Sequence, residues 1–285
     1  MTALRQQMIE AMQQHGFSPR THSAYLRAVI DLTRYTHRPP DQLSKADLQA
    51  YFAHLVRERH LASASCRLYL NGIRFLYLHV LNWPDFDVSI VLPKRPQKIP
   101  ELLTRKEVSA IIAHCHNDKH RMMLLICYGC GLRVSELVSL KVRHLDGERR
   151  VLRVDQGKGC KDRLVTLSDQ LLYRLRQYWR TYRPTDWLFP GRKPFDDQHL
   201  HIATIQRVYK RCKVRAGISK QGGIHALRHA YATHLLEAGM AVNELQQLMG
   251  HRDIHSTLGY LHWLPRYTRG ERVQCDLIAH LSRSS

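Results

Sequence analysis

The sequence predicts a mainly α-helical protein of two domains: an N-terminal four-helix domain and a mostly helical C-terminal domain with a small β-hairpin or sheet. Three observations predict this fold class. Apolar residues recur at helical spacing along most of the 285 residues. A proline-rich stretch at residues 83–100 interrupts that pattern. Residues 149–167 instead contain two β-rich runs around glycines, which is typical of a hairpin.

The first 82 residues are predicted to form four helices, because caps and helix breakers divide them into four helical runs. Ser18 followed by Pro19 places a capping side chain before a proline at the first helical position. Ser44 with Asp47 three residues later has the pattern of a capping box. The predicted helices span residues 2–14, 19–35, 45–58 and 63–81.

The fourth of these helices has two unlike faces. One face is apolar and is predicted to pack in the core. The opposite face carries Arg67, Asn71 and Arg74. This basic face either contacts DNA phosphates or is a solvated surface, and the sequence leaves both interpretations open. The apolar positions are Tyr69, Ile73, Leu76 and Val80.

The C-terminal domain is predicted to begin after the linker, where Thr104 and Glu107 have the spacing of a capping box. Its hairpin is predicted to turn at Gly157 and Gly159. Glycines at positions 239 and 250 stand where left-handed caps are expected to end two helices. The predicted helices span residues 105–116, 119–129, a run from about Ser135, 169–182, 199–215, 226–238 and 242–249.

The net charge favours a polyanionic partner. Forty-four Lys and Arg residues against 24 Asp and Glu residues give a charge of +20, spread along the whole chain. Nucleic acid is the first expectation, an anionic membrane the second, and a merely basic soluble protein the third. Seven cysteines without disulfide-framework spacing, no signal-peptide pattern and no apolar run of membrane-spanning length predict a cytoplasmic protein.

Several polar residues near the C-terminal end have the chemistry that a phosphodiester needs. His225 and Arg228 are three residues apart on one side of a predicted helix. His251 follows the glycine that ends the next helix, and Tyr260 lies nine residues further on. Arginine is suited to bind the phosphate oxygens, tyrosine is a candidate nucleophile, and histidine or lysine can move the protons.

Two upstream residues complete the candidate set. Arg133 follows Gly131, which permits a turn, and Ser135 is predicted to cap the next helix, so that Arg133 lies beside a helix N-terminus that favours anions. Lys158 lies between two glycines at the predicted hairpin tip, where nothing fills a core. Cations of this kind supply the field that stabilises a charged transition state, so no metal is required.

Four segments together resemble the tyrosine recombinase family of the phage-integrase type. They are GLRVSEL (131–137), GKGCKDRLVTL (157–167), HALRHAYATHLL (225–236) and GHRDIHSTLGYLH (250–262). The resemblance covers residues 100–270, and the N-terminal helices are similar, with weaker motifs, to the family's core-binding domain. It implies a catalytic fold that cuts and rejoins DNA without metal or ATP.

The resemblance also implies a role for each candidate. By this resemblance Arg133 and Arg228 clamp the scissile phosphate, and Lys158 protonates the leaving 5′-oxygen. His225 assists proton transfer and His251 orients the phosphate. Tyr260 attacks to form a 3′-phosphotyrosine.

The implied organisation has four parts. Residues 1–82 form a SAM-like DNA-binding domain, residues 83–100 a linker, residues 101–270 the catalytic domain, and residues 271–285 a tail that either docks on a neighbouring protomer or packs on its own domain. The implied partners are double-stranded recombination sites and, on DNA, three further copies of a chain that is monomeric when free. Strand exchange would pass through a Holliday junction on nucleoid DNA. Phage integration, transposition, cassette capture and dimer resolution all remain open as biological roles.

Alternatives remain at the level of both function and residues. A type IB topoisomerase-like enzyme shares this chemistry but reseals the same strand, and a binding-only protein retains the fold without cleavage. Tyr267 is a rival nucleophile, sixteen residues after His251. Cys127 and Cys130, near two histidines, suggest zinc, but no second cysteine pair has ribbon spacing, and buried free thiols are the prediction.

Overall fold

The computed structural model of the chain describes residues 3–84, 86, 101–155, 162–191, 198–261 and 263. Contacts divide the chain into two compact units, Met1–Lys98 and Ile99–Ser285. Both units are mostly helical, and the second contains a small sheet, so the predicted fold class is confirmed. None of the helices in the described ranges is long and apolar enough to cross a membrane.

The N-terminal unit contains the four predicted helices, each within two residues of its predicted bounds. The caps form as predicted: the Ser18 hydroxyl accepts from the Thr21 N–H, and Ser44 and Asp47 form a reciprocal capping box. A 3₁₀ turn, Pro40–Gln42, separates the second and third helices. The helices are α1 (Ala3–Gln14), α2 (Pro19–Thr36), α3 (Lys45–Arg57) and α4 (Ser63–His79).

The core of this unit forms mainly between α2, α3 and α4. Ile73 and Leu76 of α4 are fully buried, as their spacing predicts, while Tyr69 and Val80 are half-buried. Beyond α4, the ring of Trp83 packs at 4.5 Å from that of Tyr77. The ring of Phe86 also lies 5.7 Å from that of Tyr77, so the packing of this unit extends into the predicted linker.

The C-terminal unit surrounds a larger core with eight helices among its described residues. Strands β2 and β3 pair antiparallel with Leu152 opposite Val165, which confirms the predicted hairpin. Its tip, residues 156–161, lies outside the described residues. The elements are α5 (Arg105–Ala113), α6 (Asp118–Gly129), α7 (Val134–Val138), β1 (Leu145–Asp146), β2 (Val151–Val154), β3 (Arg163–Thr166), α8 (Asp169–Tyr182), α9 (Ile202–Arg215), α10 (His225–Glu237), α11 (Val242–Met249) and α12 (His255–Leu261).

Two elements of this unit do not follow from the sequence patterns. Strand β1 has two residues, too few to show a period, and it pairs with β2 through Leu145 and Leu152. Helix α12 is absent from the helices that the sequence predicts. It begins just after Asp253, whose carboxylate accepts from the His255 N–H at 2.9 Å. Both elements are short, so tertiary packing decides whether they form.

Helix α10 is the element around which the site is built. It packs against α5, α6, α11 and α12, and its Leu227, Ala230 and Leu236 are fully buried. Polar side chains on such a helix are held by packed protein on several sides. The helix after it ends at Gly250, which is left-handed with φ 60°, as predicted.

Candidate active site

Arg133 is fixed by the turn that precedes α7. Gly131 has a φ of 59°, and a Cβ there would lie 2.3 Å from the ring of Tyr231, so this position requires glycine. Helix α7 begins at Val134, two residues before the start that a Ser135 cap predicts, because Arg133 occupies the N-cap position. The Arg133 N–H donates to Glu136 Oε2 at 2.8 Å, and its Nη1 donates to Oε1 at 2.7 Å.

Glu136 is the shared counter-ion of the site. Its buried carboxylate also accepts two bonds, of 3.0 and 2.8 Å, from the guanidinium of Arg163. Burial acts to raise the pKa of Glu136, but the hydrogen bonds and charge of Arg163, and then the bonds from Arg133, lower it to about 2. Glu136 is therefore a charged carboxylate at neutral pH and holds both arginines in place.

Gly250 brings the end of α11 against the arginine from the sheet. A Cβ at this position would lie 2.9 Å from Arg163 Cδ. Arg163 also donates from Nε to the Leu248 carbonyl at 2.9 Å. The Gly250 carbonyl accepts from Arg133 Nη2 at 3.4 Å. The glycine thus permits a close contact between β3, α11 and the turn before α7.

Arg228 is a buried guanidinium in the first half of α10, with 1% of its surface exposed. It donates to the Gly131 carbonyl, to the Met249 carbonyl at 2.5 Å and to His251 Nε2 at 3.2 Å. Burial, and then the positive charge of Arg133, lower its pKa to about 10, so it stays protonated at neutral pH. Two of its five N–H donors have no partner among the described residues.

His251 is neutral and its tautomer follows from its partners. Arginine only donates, so Nε2 accepts from Arg228 and the ring proton resides on Nδ1, 2.9 Å from the Thr257 hydroxyl. Burial, and then the positive charges of Arg228 and Arg133, lower its pKa to about 4. The histidine therefore joins α10 to α12 without adding charge.

Tyr260 lies on α12 with 3% of its surface exposed. Its ring is parallel to that of His251, with centroids 6.3 Å apart, and its hydroxyl lies 3.2 Å from His229 Nδ1. Burial raises the pKa of Tyr260, and the charges of Arg228 and Arg133 oppose that rise. The phenol is therefore protonated at neutral pH.

Two histidines one turn apart on α10 flank the tyrosine. His225 is exposed, yet the protein around its ring and the charge of Arg228 lower its pKa. Its ring meets that of His229 edge to face, with centroids 4.6 Å apart. Burial, and then His225 and Arg228, lower the pKa of His229 to about 4. Both imidazoles thus lie in surroundings that disfavour their charged forms.

The structure brings five of the six candidate residues to one place. Contacts run from Arg133 through Glu136 to Arg228, then to His251, Tyr260, His229 and His225. Lys158, the rival Tyr267 and the C-terminal tail lie outside the described residues.

Four residues of this cluster do not emerge as candidates from the sequence. Two of them had a signal there: Glu136 follows Arg133 by three residues, the spacing of a capping carboxylate, and His229 directly follows Arg228. Arg163 and Thr257 gave no comparable signal, because only the fold places them against Glu136 and His251. The four are Glu136, Arg163, His229 and Thr257.

The basic face of α4 lies in the N-terminal unit. Arg67, Asn71 and Arg74 are exposed there, and none of them has a hydrogen bond or ion pair with another described residue. Their exposure agrees with both interpretations, a DNA contact and a solvated surface. Their role therefore stays a prediction.

Cys127 and Cys130 are buried free thiols in the structure, as the sequence predicts. Burial raises the pKa of each. The Cys127 thiol contacts the Leu132 carbonyl at 3.6 Å. Among the residues that the structure describes, no group of three or more histidine, cysteine or acidic side chains is placed to hold a metal ion.

The helical C-terminal unit thus sets Tyr260 among arginine and histidine side chains. The chain belongs to the phage integrase family. The model of that family, described as "Phage integrase family", matches residues 101–266. A second model, "Phage integrase, N-terminal SAM-like domain", matches residues 4–85. Members of this family cut and rejoin DNA strands through a tyrosine, independently of ATP.

Relatives with known names agree with this assignment. A Sinorhizobium fredii protein named "Putative integrase/recombinase y4qK" is 42% identical over 266 residues, which cover 92% of this chain and 84% of the relative. The tyrosine recombinase XerD of Proteus mirabilis is 34% identical over 268 residues, covering 87% and 84%. Such relatives favour a recombinase over the topoisomerase-like and binding-only alternatives.

Solved structures share the fold. The Tn1549 transposon integrase in complex with circular intermediate DNA has a TM-score of 0.70 at 20% identity, covering 95% of this chain and 99% of that one. The XerH recombinase bound to palindromic difH in a post-cleavage complex has a TM-score of 0.65 at 20% identity, covering 80% and 71%. At these identities the likeness establishes the fold alone.

Proposed function

We propose that this chain is a site-specific DNA recombinase that cuts and rejoins double-stranded DNA through a 3′-phosphotyrosine at Tyr260. One observation carries the proposal: Arg228, His251 and Tyr260 form one continuous contact, from a 3.2 Å hydrogen bond to a parallel ring pair. A phosphate-binding cation, a histidine and a phenol thus adjoin.

The arginine cluster supports binding of the scissile phosphate. Three guanidiniums, of Arg133, Arg163 and Arg228, surround the single carboxylate of Glu136, which leaves two positive charges in excess. All three arginines also have protein partners; we assign the phosphate oxygens to Arg133 and Arg228 because they stand at the positions of the two arginines of the family's motifs. Preorganised cations in buried surroundings stabilise a transition state more strongly than cations in water do.

In the cleavage step the Tyr260 oxygen forms a bond to phosphorus as the bond from phosphorus to the 5′-oxygen breaks. The 5′-oxygen leaves as a hydroxyl, with a proton from Lys158, and His225 assists proton transfer at the phosphate. The phosphotyrosine retains the energy of the broken bond, so attack by a 5′-hydroxyl of the partner strand reverses the step without ATP.

His251 changes its hydrogen bonds when the phosphate binds. The Thr257 hydroxyl both donates and accepts, so the His251 proton can move from Nδ1 to Nε2 while the hydroxyl rotates. Nε2–H then donates to a phosphate oxygen and Nδ1 accepts from Thr257, while the Arg228 N–H that Nε2 had accepted donates to the phosphate as well. The negative charge of the phosphate favours the tautomer whose N–H is directed at it, and the histidine stays neutral.

The remaining parts of the chain serve DNA binding and assembly. The net charge of +20 supplies affinity that depends steeply on salt, and the exposed face of Arg67, Asn71 and Arg74 contacts DNA phosphates. Residues 1–82 and 101–270 act as two DNA-binding parts joined by residues 83–100. A monomer when free, the chain works as a tetramer on DNA of the nucleoid, exchanging strands through a Holliday junction, and its tail docks on a neighbouring protomer.

A suicide substrate, nicked close to the cleavage site so that the cut cannot be resealed, tests the proposal. The duplex comes from native DNA that flanks the gene. The wild-type chain is expected to form a covalent protein–DNA adduct, and Tyr260→Phe is expected to bind the duplex normally and form none. Absence of an adduct from the wild type on every flanking duplex would reject the enzyme, and an adduct from Tyr260→Phe would place the nucleophile elsewhere.

A further inference from the structure

His229 is placed on the nucleophile but has no part in the mechanism above. Its Nδ1 lies 3.2 Å from the Tyr260 hydroxyl, the hydrogen bond that this hydroxyl makes among the described residues. Its ring also packs edge to face on Trp263, with centroids 5.7 Å apart. The imidazole is thus held in position by packing on two sides, with one nitrogen directed at the reacting oxygen.

The phenol needs a proton acceptor. At neutral pH a tyrosine hydroxyl retains its proton, since its reference pKa is about 10, and burial raises the pKa of Tyr260 further. As the oxygen bonds to phosphorus it must lose that proton, or it becomes a protonated oxonium of very high energy. His251 is not placed to take this proton, because its ring lies parallel to that of Tyr260 and its two nitrogens face Arg228 and Thr257.

We propose that His229 is the general base for Tyr260: its Nδ1 accepts the phenolic proton as the tyrosine oxygen bonds to the scissile phosphorus. The proposal rests on the proposed function. In the forward step the oxygen–phosphorus bond forms, the bond to the 5′-oxygen breaks, the Tyr260 proton moves to His229 and the 5′-oxygen takes a proton from Lys158. In rejoining, His229 returns its proton to Tyr260.

The surroundings of His229 keep it available as a base. The charged or titratable groups that act on it are His225 and Arg228 on its own helix and Tyr260 on α12. The positive charge of Arg228 disfavours the imidazolium when the site holds no anion. A bound phosphate offsets the positive charge of Arg228. Its negative charge then favours the protonated His229 that the step creates.

A second histidine–tyrosine pair on the same helix provides a matched control. The Tyr128 hydroxyl lies 2.9 Å from His234 Nδ1, and His234 Nε2 lies 2.9 Å from the Leu103 carbonyl. A carbonyl only accepts, so Nε2 carries the proton and Tyr128 donates to Nδ1. This pair has the same atoms in contact but belongs to the core near α5 and α6.

The test compares three variants of the full chain on a suicide duplex whose bridging 5′-oxygen at the cleavage site is replaced by sulfur. A thiolate leaves without a proton, so the rate no longer depends on Lys158. His229→Phe retains an aromatic ring and removes both nitrogens. His229→Asn retains an acceptor oxygen near the position of Nδ1 but is not basic. His234→Phe removes the matched histidine of the core.

The readout is the single-turnover rate of adduct formation between pH 6 and 8.5. For the wild type and His234→Phe, the rate is expected to be nearly constant with pH. For both His229 variants it is expected to fall by about 10²- to 10⁴-fold at pH 7. It is then expected to rise about tenfold per pH unit, because hydroxide must take over the proton. Duplex binding, measured by gel shift, is expected to be unchanged.

Two results would overturn the proposal. If His229→Asn cleaves at the wild-type rate, the histidine only positions the tyrosine. The same follows if either variant, however slow, shows a pH profile parallel to that of the wild type. These outcomes are distinct from failure of the proposed function, in which the wild type itself forms no adduct. A thermal melt of each variant separates loss of fold from loss of the base, and His229→Asn keeps the test valid if His229→Phe does not fold.

Discussion

The two halves of α10 hold the same kind of contact in opposite surroundings. In the first half, His229 meets Tyr260 beside a cluster of three arginines. In the second half, His234 meets Tyr128 among apolar residues, and its other nitrogen is bonded to the Leu103 carbonyl. The contact between an imidazole and a phenol is therefore common to both, and the charges and partners around it differ.

This difference shows how one helix serves both structure and chemistry. His234 has both ring nitrogens bonded to protein and is 6% exposed, so its hydrogen bonds hold α5, α6 and α10 together. The imidazole of His229 has no hydrogen bond from Nε2 among the described residues, and the excess positive charge nearby is unbalanced by protein. A buried excess of charge is costly for folding and is useful where an anion binds.

A large loss of cleavage is expected from changing Arg228, the arginine in the first half of α10. Arg228→Lys retains a charge but loses the fork that reaches two carbonyls and His251, so the rate of adduct formation is expected to fall by about 10²- to 10³-fold. Arg105 is the matched arginine of the second half, since it donates to the His234 carbonyl at 3.0 Å. Arg105→Lys is expected to cleave at the wild-type rate in the same single-turnover assay. Equal losses of cleavage rate in both variants would contradict the conclusion that only the first half of α10 takes part in the reaction.

Removing the charge of Glu136, the counter-ion of the arginines beside the first half of α10, is expected to destabilise the fold. Glu136→Gln leaves the buried guanidinium of Arg163 without its partner, which lowers the free energy of unfolding by about 3–5 kcal/mol. The matched carboxylate is Asp169, whose ion pair with Arg150 is exposed, and Asp169→Asn is expected to cost less than about 1 kcal/mol. Urea unfolding of both variants measures the difference, and a loss below 1 kcal/mol for Glu136→Gln would contradict the central role of its charge.

The two buried histidines near Arg228, His229 and His251, make the stability of the fold depend on pH. The pKa values of His229 and His251 are about 4 in the folded chain and about 6.5 in an unfolded one. Between these values the unfolded chain binds more protons, so the stability is fully present above pH 6.5 and is lost as the pH falls towards 4. Each histidine contributes about 1–3 kcal/mol of this loss. Urea midpoints at pH 7.5 and 5 measure it, and His251→Gln should show a weaker dependence than the wild type.

The smallest effect is expected from changing Tyr128, the tyrosine that contacts the second half of α10. Tyr128→Phe removes one hydrogen bond to His234, which costs about 0.5–1.5 kcal/mol and leaves adduct formation unchanged. Tyr260→Phe removes an equivalent bond, and its loss of stability is expected to be similar, but its adduct formation is abolished. Thermal melts and the suicide duplex measure both quantities. Loss of cleavage in Tyr128→Phe would show that the second half also acts in the reaction.

Most helices of the chain could be predicted from the sequence, because their signals are local. The caps at Ser18, Ser44 and Thr104 form with the predicted partners, and Gly250 takes the predicted left-handed conformation. Capping depends on residues within one turn, so distant parts of the chain do not alter it. Helix α12 and strand β1 could not be predicted, since each is too short to form without the protein packed around it.

The candidate site divides in the same way. By itself the sequence determined which reactive groups are present and their order along the chain: two arginines, a lysine, two histidines and a tyrosine in motifs that resemble one family. Only the tertiary structure decided that Arg163 of a strand shares Glu136 with Arg133, and that His229 rather than His251 meets the hydroxyl of Tyr260. The physical reason is that a side chain's partners lie within about 3 Å in space, whereas these residues are 27 and 31 positions apart in sequence. No local pattern encodes a contact of that kind.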